Sequence, residues 1–182
     1  AGASWQLTGL GPGYSGLSDR LLGGYTGFRA EAERQIAAPG HTFLQAGVGG
    51  LAGAAAAMAR KIWGDTPQIV VVEPLHAPAL HSCIQAGDFV AAQGPGSAMG
   101  RLDCLEASLI ALKGLAKDAD VFALISEEEG QAGADFAAAH QMESTPSGAA
   151  GLAGLLASSA HRAALKLDAH SHVLVILSEG PE

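Results

Sequence analysis

A chain of 182 residues has the length for one sizeable hydrophobic core or two small ones. Its 18 acidic and 10 basic side chains leave a net charge of -8 with no Lys/Arg cluster, which argues against nucleic acid or an anionic membrane surface as partner. With 48% hydrophobic and only 15% charged residues most helices must bury a broad face, and the 25 glycines lack the period of a collagen-like repeat.

In chain order, residues 4–14 read as a loop or lead-in, and residues 17–36 as one or two helices interrupted near Gly23-Gly24. Pro39-Gly40 ends that region. Residues 42–45 are a short strand candidate, and 51–62, built from Ala, Leu and Met, a helix able to approach a sheet closely. The continuous apolar run at 68–73 predicts a strand buried on both faces, as a parallel sheet requires, and Pro74 stops it. A short helix over 78–86, a strand over 88–92, a loop at 94–97 and a helix over 103–116 follow. Residues 121–125 read as a strand, and Ser126 as the cap of a helix whose first-turn glutamates suit its dipole. A link at 142–147 leads to helices over 147–157 and 159–167, and 172–178 reads as the last buried strand. The alternation of strands and helices predicts an α/β fold: an open, mostly parallel sheet flanked by helices. Residues 1–40 are expected to be a helical lead-in to the α/β domain at 41–182, the whole forming one incomplete domain.

No signal peptide is visible, and the apolar stretch at 47–58 is too short to span a bilayer, so the expectation is a cytoplasmic protein. The chain opens at Ala1 without a methionine, which processing or an N-terminal part outside this chain would explain. Twenty residues separate Cys83 from Cys104, so a disulfide requires the fold to bring them together. Two free thiols are the reading for a cytoplasmic setting. The seven histidines show no metal-ligand spacing; His76 and His81 lie five apart, and His170 and His172 flank the onset of a strand.

In an open parallel sheet, ligands sit at the carboxyl ends of the strands. Three such ends are candidates: Gly47 to Gly50, Glu73, and Ser178-Glu-Gly180. The turn Gly47-Val48-Gly49-Gly50 is not a P-loop, because no Gly-Lys-Ser/Thr follows, and it is not a dinucleotide fingerprint. Its glycines allow successive backbone N–H groups to converge on an anion at the positive end of the next helix, which predicts a bound phosphate. The competing reading is a close-packed turn whose glycines only avoid crowding. Ser178 could hydrogen-bond a ring nitrogen, or be an ordinary strand-end serine tied to nearby backbone. Glu73 before Pro74 and Glu143 before Ser-Thr-Pro read as structural anchors.

The motifs Gly13-Tyr14, Gly24-Tyr25-Thr26, the segment from His41 to Gly53, Val70-Val-Val-Glu-Pro74, Met99-Gly-Arg-Leu-Asp-Cys104, Glu143-Ser-Thr-Pro-Ser-Gly-Ala149 and Val173-Leu-Val-Ile-Leu-Ser-Glu-Gly180 span nearly the whole chain. Taken in this order, they resemble the C-terminal half of pyridoxal-phosphate enzymes of the tryptophan synthase β and threonine dehydratase fold, most nearly the diaminopropionate ammonia-lyases. The resemblance implies pyridoxal 5'-phosphate as cofactor, with Gly47, Val48, Gly49 and Gly50 holding its phosphate through backbone N–H groups. It makes Ser178 the partner of the pyridine nitrogen, places Glu143 at the border of the site, and suggests that Cys83 and Cys104 correspond to a pair that forms a disulfide in some relatives. The implied reaction converts 2,3-diaminopropionate to pyruvate and ammonia. A related β-eliminating dehydratase, a threonine-synthase-like protein and a non-catalytic interaction module that has lost its lysine are the alternatives.

One family feature is missing. The Schiff-base lysine lies in a Ser-Phe-Lys context in the N-terminal half of such enzymes, and Lys61, Lys113, Lys117 and Lys166 all fall in polar helical contexts here. The chain also contains no asparagine, the residue that usually flanks the cofactor hydroxyl. The expectation is therefore a chain that is silent alone and carries no catalytic residue. Its expected partners are a small amino-acid substrate and a complementary N-terminal half or chain, within a homo-oligomer.

Overall fold

A computed structural model describes residues 5–7 and 37–180. The strands are β1 (Trp5–Leu7), β2 (His41–Gln45), β3 (Gln68–Pro74), β4 (Val121–Ile125) and β5 (Val173–Val175). They form one sheet in the order β1-β4-β3-β2-β5. The four strands β4, β3, β2 and β5 run parallel, and β1 pairs antiparallel with β4 at the edge. His41 pairs with Gln68 and Gln45 with Val72, so β2 and β3 finish side by side.

Among the described residues six helices fill the connections: α1 (Gly50–Trp63), α2 (Ala79–Ala86), α3 (Leu109–Asp118), α4 (Glu127–Ala139), α5 (Ala150–Ala157) and the single turn α6 (Arg162–Leu165), preceded by a 3-10 turn at Ser158–His161. Alternation along the strands divides the core in two. Leu44, Ile69, Val71 and Phe122 face the alanines of α1, with Leu80 of α2 and Leu115 of α3. Phe43, Val70, Val72, Val121 and Ala123 face Ala150 and Ala153 of α5 on the other side. Both faces are thus covered, which is why β3 and β4 contain continuous apolar runs.

The chain moves outward from β2 through β3 to β4, then returns to place β5 on the far side of β2. That reversal opens a crevice beside the carboxyl end of β2, where open α/β sheets bind ligands. α1 starts there. Gly49 takes φ +98° and turns the chain from strand to helix, a conformation that side-chain-bearing residues rarely adopt. α5 lies so close to the sheet that a Cβ on Gly151 would stand 2.8 Å from the Phe43 carbonyl oxygen.

The strands expected at 42–45, 68–73 and 121–125 form within a residue of those limits, as does the helix expected at 51–62. Ser126 caps α4 in a full capping box with Glu129. Other segments differ. Residues 88–92 are not a strand: Val90 exchanges hydrogen bonds with the Cys83 side chain, and the Ala92 N–H donates to the Leu105 carbonyl. That segment covers α2 and has no neighbour in the sheet. The helix expected from 103 begins only at Leu109, because Ser108 caps it and residues before it turn around the glycine loop.

The helix expected over 159–167 breaks into the 3-10 turn and α6, which Lys166 ends in the left-handed region at φ 55°. The buried strand expected over 172–178 is the short, half-buried edge strand β5, since a strand with one neighbour has half its surface uncovered. The lead-in expected at 4–14 contains β1, which gains its hydrogen bonds from β4. The helices expected over 17–36 lie outside the described residues.

Candidate functional site

The crevice holds a cavity of about 250 Å³ lined by Gln45, the loop Gly47 to Leu51, Arg101 and Leu102, and by Ser178 and Glu179 from the chain beyond β5. The loop hangs between β2 and α1 with its carbonyls tied back into the protein. The Val48 carbonyl accepts the Ser108 N–H at 2.9 Å, and the Gly49 carbonyl accepts the Gly53 N–H at 2.8 Å. The Ala46 N–H is used by the Val72 carbonyl. By contrast, the N–H groups of Gly47, Gly49 and Gly50 donate to no acceptor among the described residues. Buried backbone donors are almost always paired, so unpaired ones lining a cavity at a helix start suit an anion. The first turn of α1 carries no acidic side chain to compete for them.

Close packing explains the other glycine of this turn. A Cβ on Gly47 would stand 3.0 Å from the Cys104 Sγ and 3.1 Å from the Arg101 carbonyl oxygen. At Gly47 the close packing against residues 101–104 is evident and the Val48 N–H is taken by the Cys104 sulfur, while the amides of Gly47, Gly49 and Gly50 are left without an acceptor among the described residues. Burial pushes the Cys104 thiol up, against a hydrogen bond from the Val48 backbone, with Asp103 and Glu73 adding to the rise. It is a neutral packing group under the loop. The disulfide suggested by resemblance is not formed. Cys83 is buried and engaged with the Val90 backbone on α2, and both thiols are free.

Ser178 stands on the far wall of the same cavity. Its Oγ lies 2.9 Å from the Gln45 Nε2, and its N–H donates to the Gly148 carbonyl at 3.4 Å. It also borders an adjoining apolar cavity of about 450 Å³, shared with Leu51, Ala54, Met58 and Ile176, which offers a lining for a flat ring. The structure thus brings the glycine loop and Ser178 into one cavity.

Glu143 is not brought there; it is exposed, and its neighbours Ser144 and Thr145 act at the rim instead. The Ser144 and Thr145 hydroxyls donate to the Glu179 carbonyl oxygen and carboxylate respectively. The other oxygen of Glu179 faces the Arg101 guanidinium at 3.9 Å. Glu73 is fully buried and accepts the N–H groups of Leu80 and His81, so it caps α2 outside the cavity, the anchoring role read for it.

Gln45 and Arg101 are site residues that sequence reasoning did not single out, and Glu179 entered only as part of the candidate end Ser178-Glu-Gly180. A glutamine directly before the glycine turn, at the end of a strand, was the signal for the first. Arg101 and Glu179 lay inside quoted motifs with nothing to mark which way they pointed. No lysine lines the cavity. Lys61 is exposed in the last turn of α1, Lys113 and Lys117 are exposed on α3, and Lys166 is exposed after α6. Among the described residues no cluster of His, Cys, Asp or Glu could hold a metal ion, and no helix is long and apolar enough to cross a membrane.

Residues 11–179 match the sequence profile of the family described as pyridoxal-phosphate dependent enzymes, and the chain belongs to that family. No protein of curated function matches it by sequence. Among solved structures, it is similar to diaminopropionate ammonia lyase from Escherichia coli in complex with an aminoacrylate-PLP azomethine reaction intermediate. The TM-score is 0.74 at 26% identity, covering 87% of this chain and 44% of that one. It is also similar in fold to the processed form of threonine deaminase isoform 2 from Solanum lycopersicum (TM-score 0.77, 18% identity, 88% of this chain, 46% of that one). A fungal L-serine ammonia-lyase from Rhizomucor miehei is comparable (TM-score 0.75, 20% identity, 88% and 52%). The chain spans about half the length of these proteins. The cofactor of the family is pyridoxal phosphate, and unpaired loop amides facing a hydroxyl across one cavity fit its phosphate and its ring nitrogen.

Proposed function

We propose that this chain forms the phosphate and ring-nitrogen side of a pyridoxal-phosphate ammonia-lyase that converts 2,3-diaminopropionate to pyruvate and ammonia. The observation that carries the reading is the set of unpaired N–H groups of Gly47, Gly49 and Gly50 facing Ser178 across one cavity. These amides and the positive end of α1 hold the phosphate dianion without a cationic side chain in the loop. Ser178 meets the ring nitrogen with a hydroxyl, which supports an unprotonated pyridine where a carboxylate would draw a proton onto it. The apolar wall at Leu51, Ala54 and Ile176 covers the ring and excludes water from it.

When bound, pyridoxal phosphate supplies the electron sink for the pair released as the substrate α-proton departs. In the overall reaction the Cα–H and Cβ–N bonds break, a Cα=Cβ bond forms and ammonia leaves. The resulting enamine then tautomerises and is hydrolysed to pyruvate and a second ammonia. The diaminopropionate assignment draws support from the ordered motifs between Gly13 and Gly180 and from the 26% likeness to the Escherichia coli lyase.

No lysine lines this cavity, so the chain alone binds the cofactor without covalent attachment and is silent. Titrating the purified chain with pyridoxal phosphate, before and after borohydride, tests this. Binding that dialysis removes even after borohydride, with no pyruvate formed from diaminopropionate, is the expected result. Cofactor trapped by borohydride together with pyruvate release would overturn it.

A further inference from the structure

Gln45 closes β2 with its side chain only 2% exposed. Its Nε2 lies 3.0 Å from the Gly148 carbonyl oxygen, 3.0 Å from the Ile176 carbonyl oxygen and 2.9 Å from the Ser178 Oγ. Two of these neighbours are carbonyls that only accept, so the amide must turn its nitrogen toward them. Reversing it would set its own oxygen against both. The Gln45 Oε1 is left buried without a donor among the described residues, a cost that reversal would raise further.

The consequence falls on Ser178. The two hydrogens of Nε2 are shared among these three acceptors, and because an amide nitrogen donates and does not accept, the serine hydroxyl cannot give its hydrogen to Gln45. Among the described residues no other acceptor receives that hydrogen. The serine is exposed to the cavity, and its backbone N–H is fixed to the same Gly148 carbonyl that Gln45 engages. The only direction left for the hydroxyl hydrogen is the cavity.

We propose that Gln45 is a positioning residue that occupies the acceptor side of Ser178 and commits its hydroxyl hydrogen to a neutral aromatic nitrogen in the cavity. The inference rests on the cofactor reading above, with the unprotonated pyridine nitrogen as the acceptor. Without the Gln45 amide, the Ile176 carbonyl loses its side-chain donor and the Gly148 carbonyl keeps only the Ser178 N–H, so both compete for the hydroxyl hydrogen. The hydroxyl then turns inward and leaves the ring nitrogen unpartnered, although Ser178 is still present. Gln45 acts on the ring through this one hydrogen.

The test uses the full chain with Gln45→Met, Ser178→Ala and the double variant, titrated with pyridoxal phosphate by fluorescence. Each single variant is expected to weaken binding about tenfold, the worth of one well-placed hydrogen bond. The double variant should be no weaker than either single one, because both remove the same bond. Effects that multiply to about a hundredfold would make Gln45 a purely structural residue and overturn the proposal. Should the Gln45 variants fail to fold, the wild-type chain decides alone. The 15N resonance of ring-labelled pyridoxal phosphate bound to it should report an unprotonated, hydrogen-bonded nitrogen that loses the hydrogen bond in Ser178→Ala. A pyridinium resonance overturns the role of Gln45 while leaving the cofactor site standing. Absence of any binding by the wild type removes the cofactor reading, and this proposal with it.

Discussion

The Glu73 carboxylate takes the Leu80 N–H on Oε1 at 2.7 Å, at the junction where β3 gives way to α2, and takes the His81 N–H on its second oxygen at the same distance. Pro78, at the start of that helix, offers no side-chain cap, so a residue of the preceding strand does the capping. Burial pushes the Glu73 carboxyl up to about 8, against the pull of the two backbone N–H groups. The unfolded chain releases this proton near the ordinary value of 4.5. Between those values the folded state holds more protons than the unfolded one, so stability falls as pH rises and levels off above the folded pKa. Burial lowers the pKa of His81, so below about pH 6.5 the unfolded chain holds more protons at that site and its contribution opposes that of Glu73 there. Urea midpoints should therefore drop between about pH 6.5 and about pH 8 and level off above, and Glu73→Gln should flatten the slope. That variant also loses an acceptor for one N–H and should be less stable by about 1–3 kcal/mol at neutral pH. A slope that survives the substitution would assign the pH dependence elsewhere.

Adjacent glycines at the start of α1 should respond in opposite ways. Gly49 has φ +98°, and an added Cβ would meet the Ala111 Cβ at 2.9 Å and the Leu80 Cδ1 at 3.0 Å. Gly49→Ala should destabilise the fold by about 1–3 kcal/mol through backbone strain and displacement of α3. A Cβ on Gly50 meets nothing within 4 Å, and this residue lies inside the helix. Gly50→Ala should keep or raise the melting temperature, since alanine is the better helix former. Its methyl beside the cavity should weaken binding of pyridoxal phosphate more than binding of pyridoxal. Equal effects on both ligands would place the phosphate away from this loop.

Arg60, near the other end of α1, ties the strand entrances together. Its Nε donates to the Asp118 carbonyl at 3.0 Å, one terminal nitrogen to the Pro67 carbonyl at 2.8 Å and the other to the Asp120 carboxylate at 2.7 Å. The same carboxylate oxygen accepts the Ile69 N–H at 2.7 Å. A lysine cannot serve three directions from one flat fork. Arg60→Met and Arg60→Lys should both cost about 1–3 kcal/mol in denaturant unfolding. Neither should change cofactor affinity, because ten residues of helix, about 15 Å, separate Arg60 from the loop. Weakened cofactor binding in a folded Arg60 variant would contradict this division of labour.

On the opposite face, Gly154 of α5 presses against Val72. A Cβ there would come within 2.6 Å of the Val72 Cγ2. Gly154→Ala should cost about 1–3 kcal/mol by overpacking, and Val72→Ala alone should destabilise through the cavity it leaves. Combined, the two changes should cost clearly less than their sum, since each relieves the other. Strict additivity in thermal unfolding would mean that helix and strand do not meet in the manner described.

Local chemistry made much of this protein readable in advance. Unbroken apolar runs at Ile69 to Val72 and Val121 to Ile125 can only be strands covered on both faces, and the alanines after Gly50 can only be a helix meant to lie close. Ser126 with Glu129 announces a helix start because both partners of the cap lie within one turn. The glycine loop was legible for a similar reason: the residues that shape it are consecutive in the chain. Where a segment depended on a distant partner, the reading slipped. Val90 has a strand-like sequence but finds the Cys83 side chain in place of a neighbouring strand, and β5 is short because it pairs on one side only.

What sequence order determined by itself was the parallel sheet, its buried strands and the glycine turn that opens α1, since each follows from residues adjacent in the chain. Tertiary structure alone decided that Gln45 would meet Ser178, more than a hundred residues later, and that Arg101 would face Glu179. Hydrogen-bond partners in such pairs are chosen by how the sheet reverses direction after β4. No local propensity encodes the distance between two side chains that the fold must first bring together.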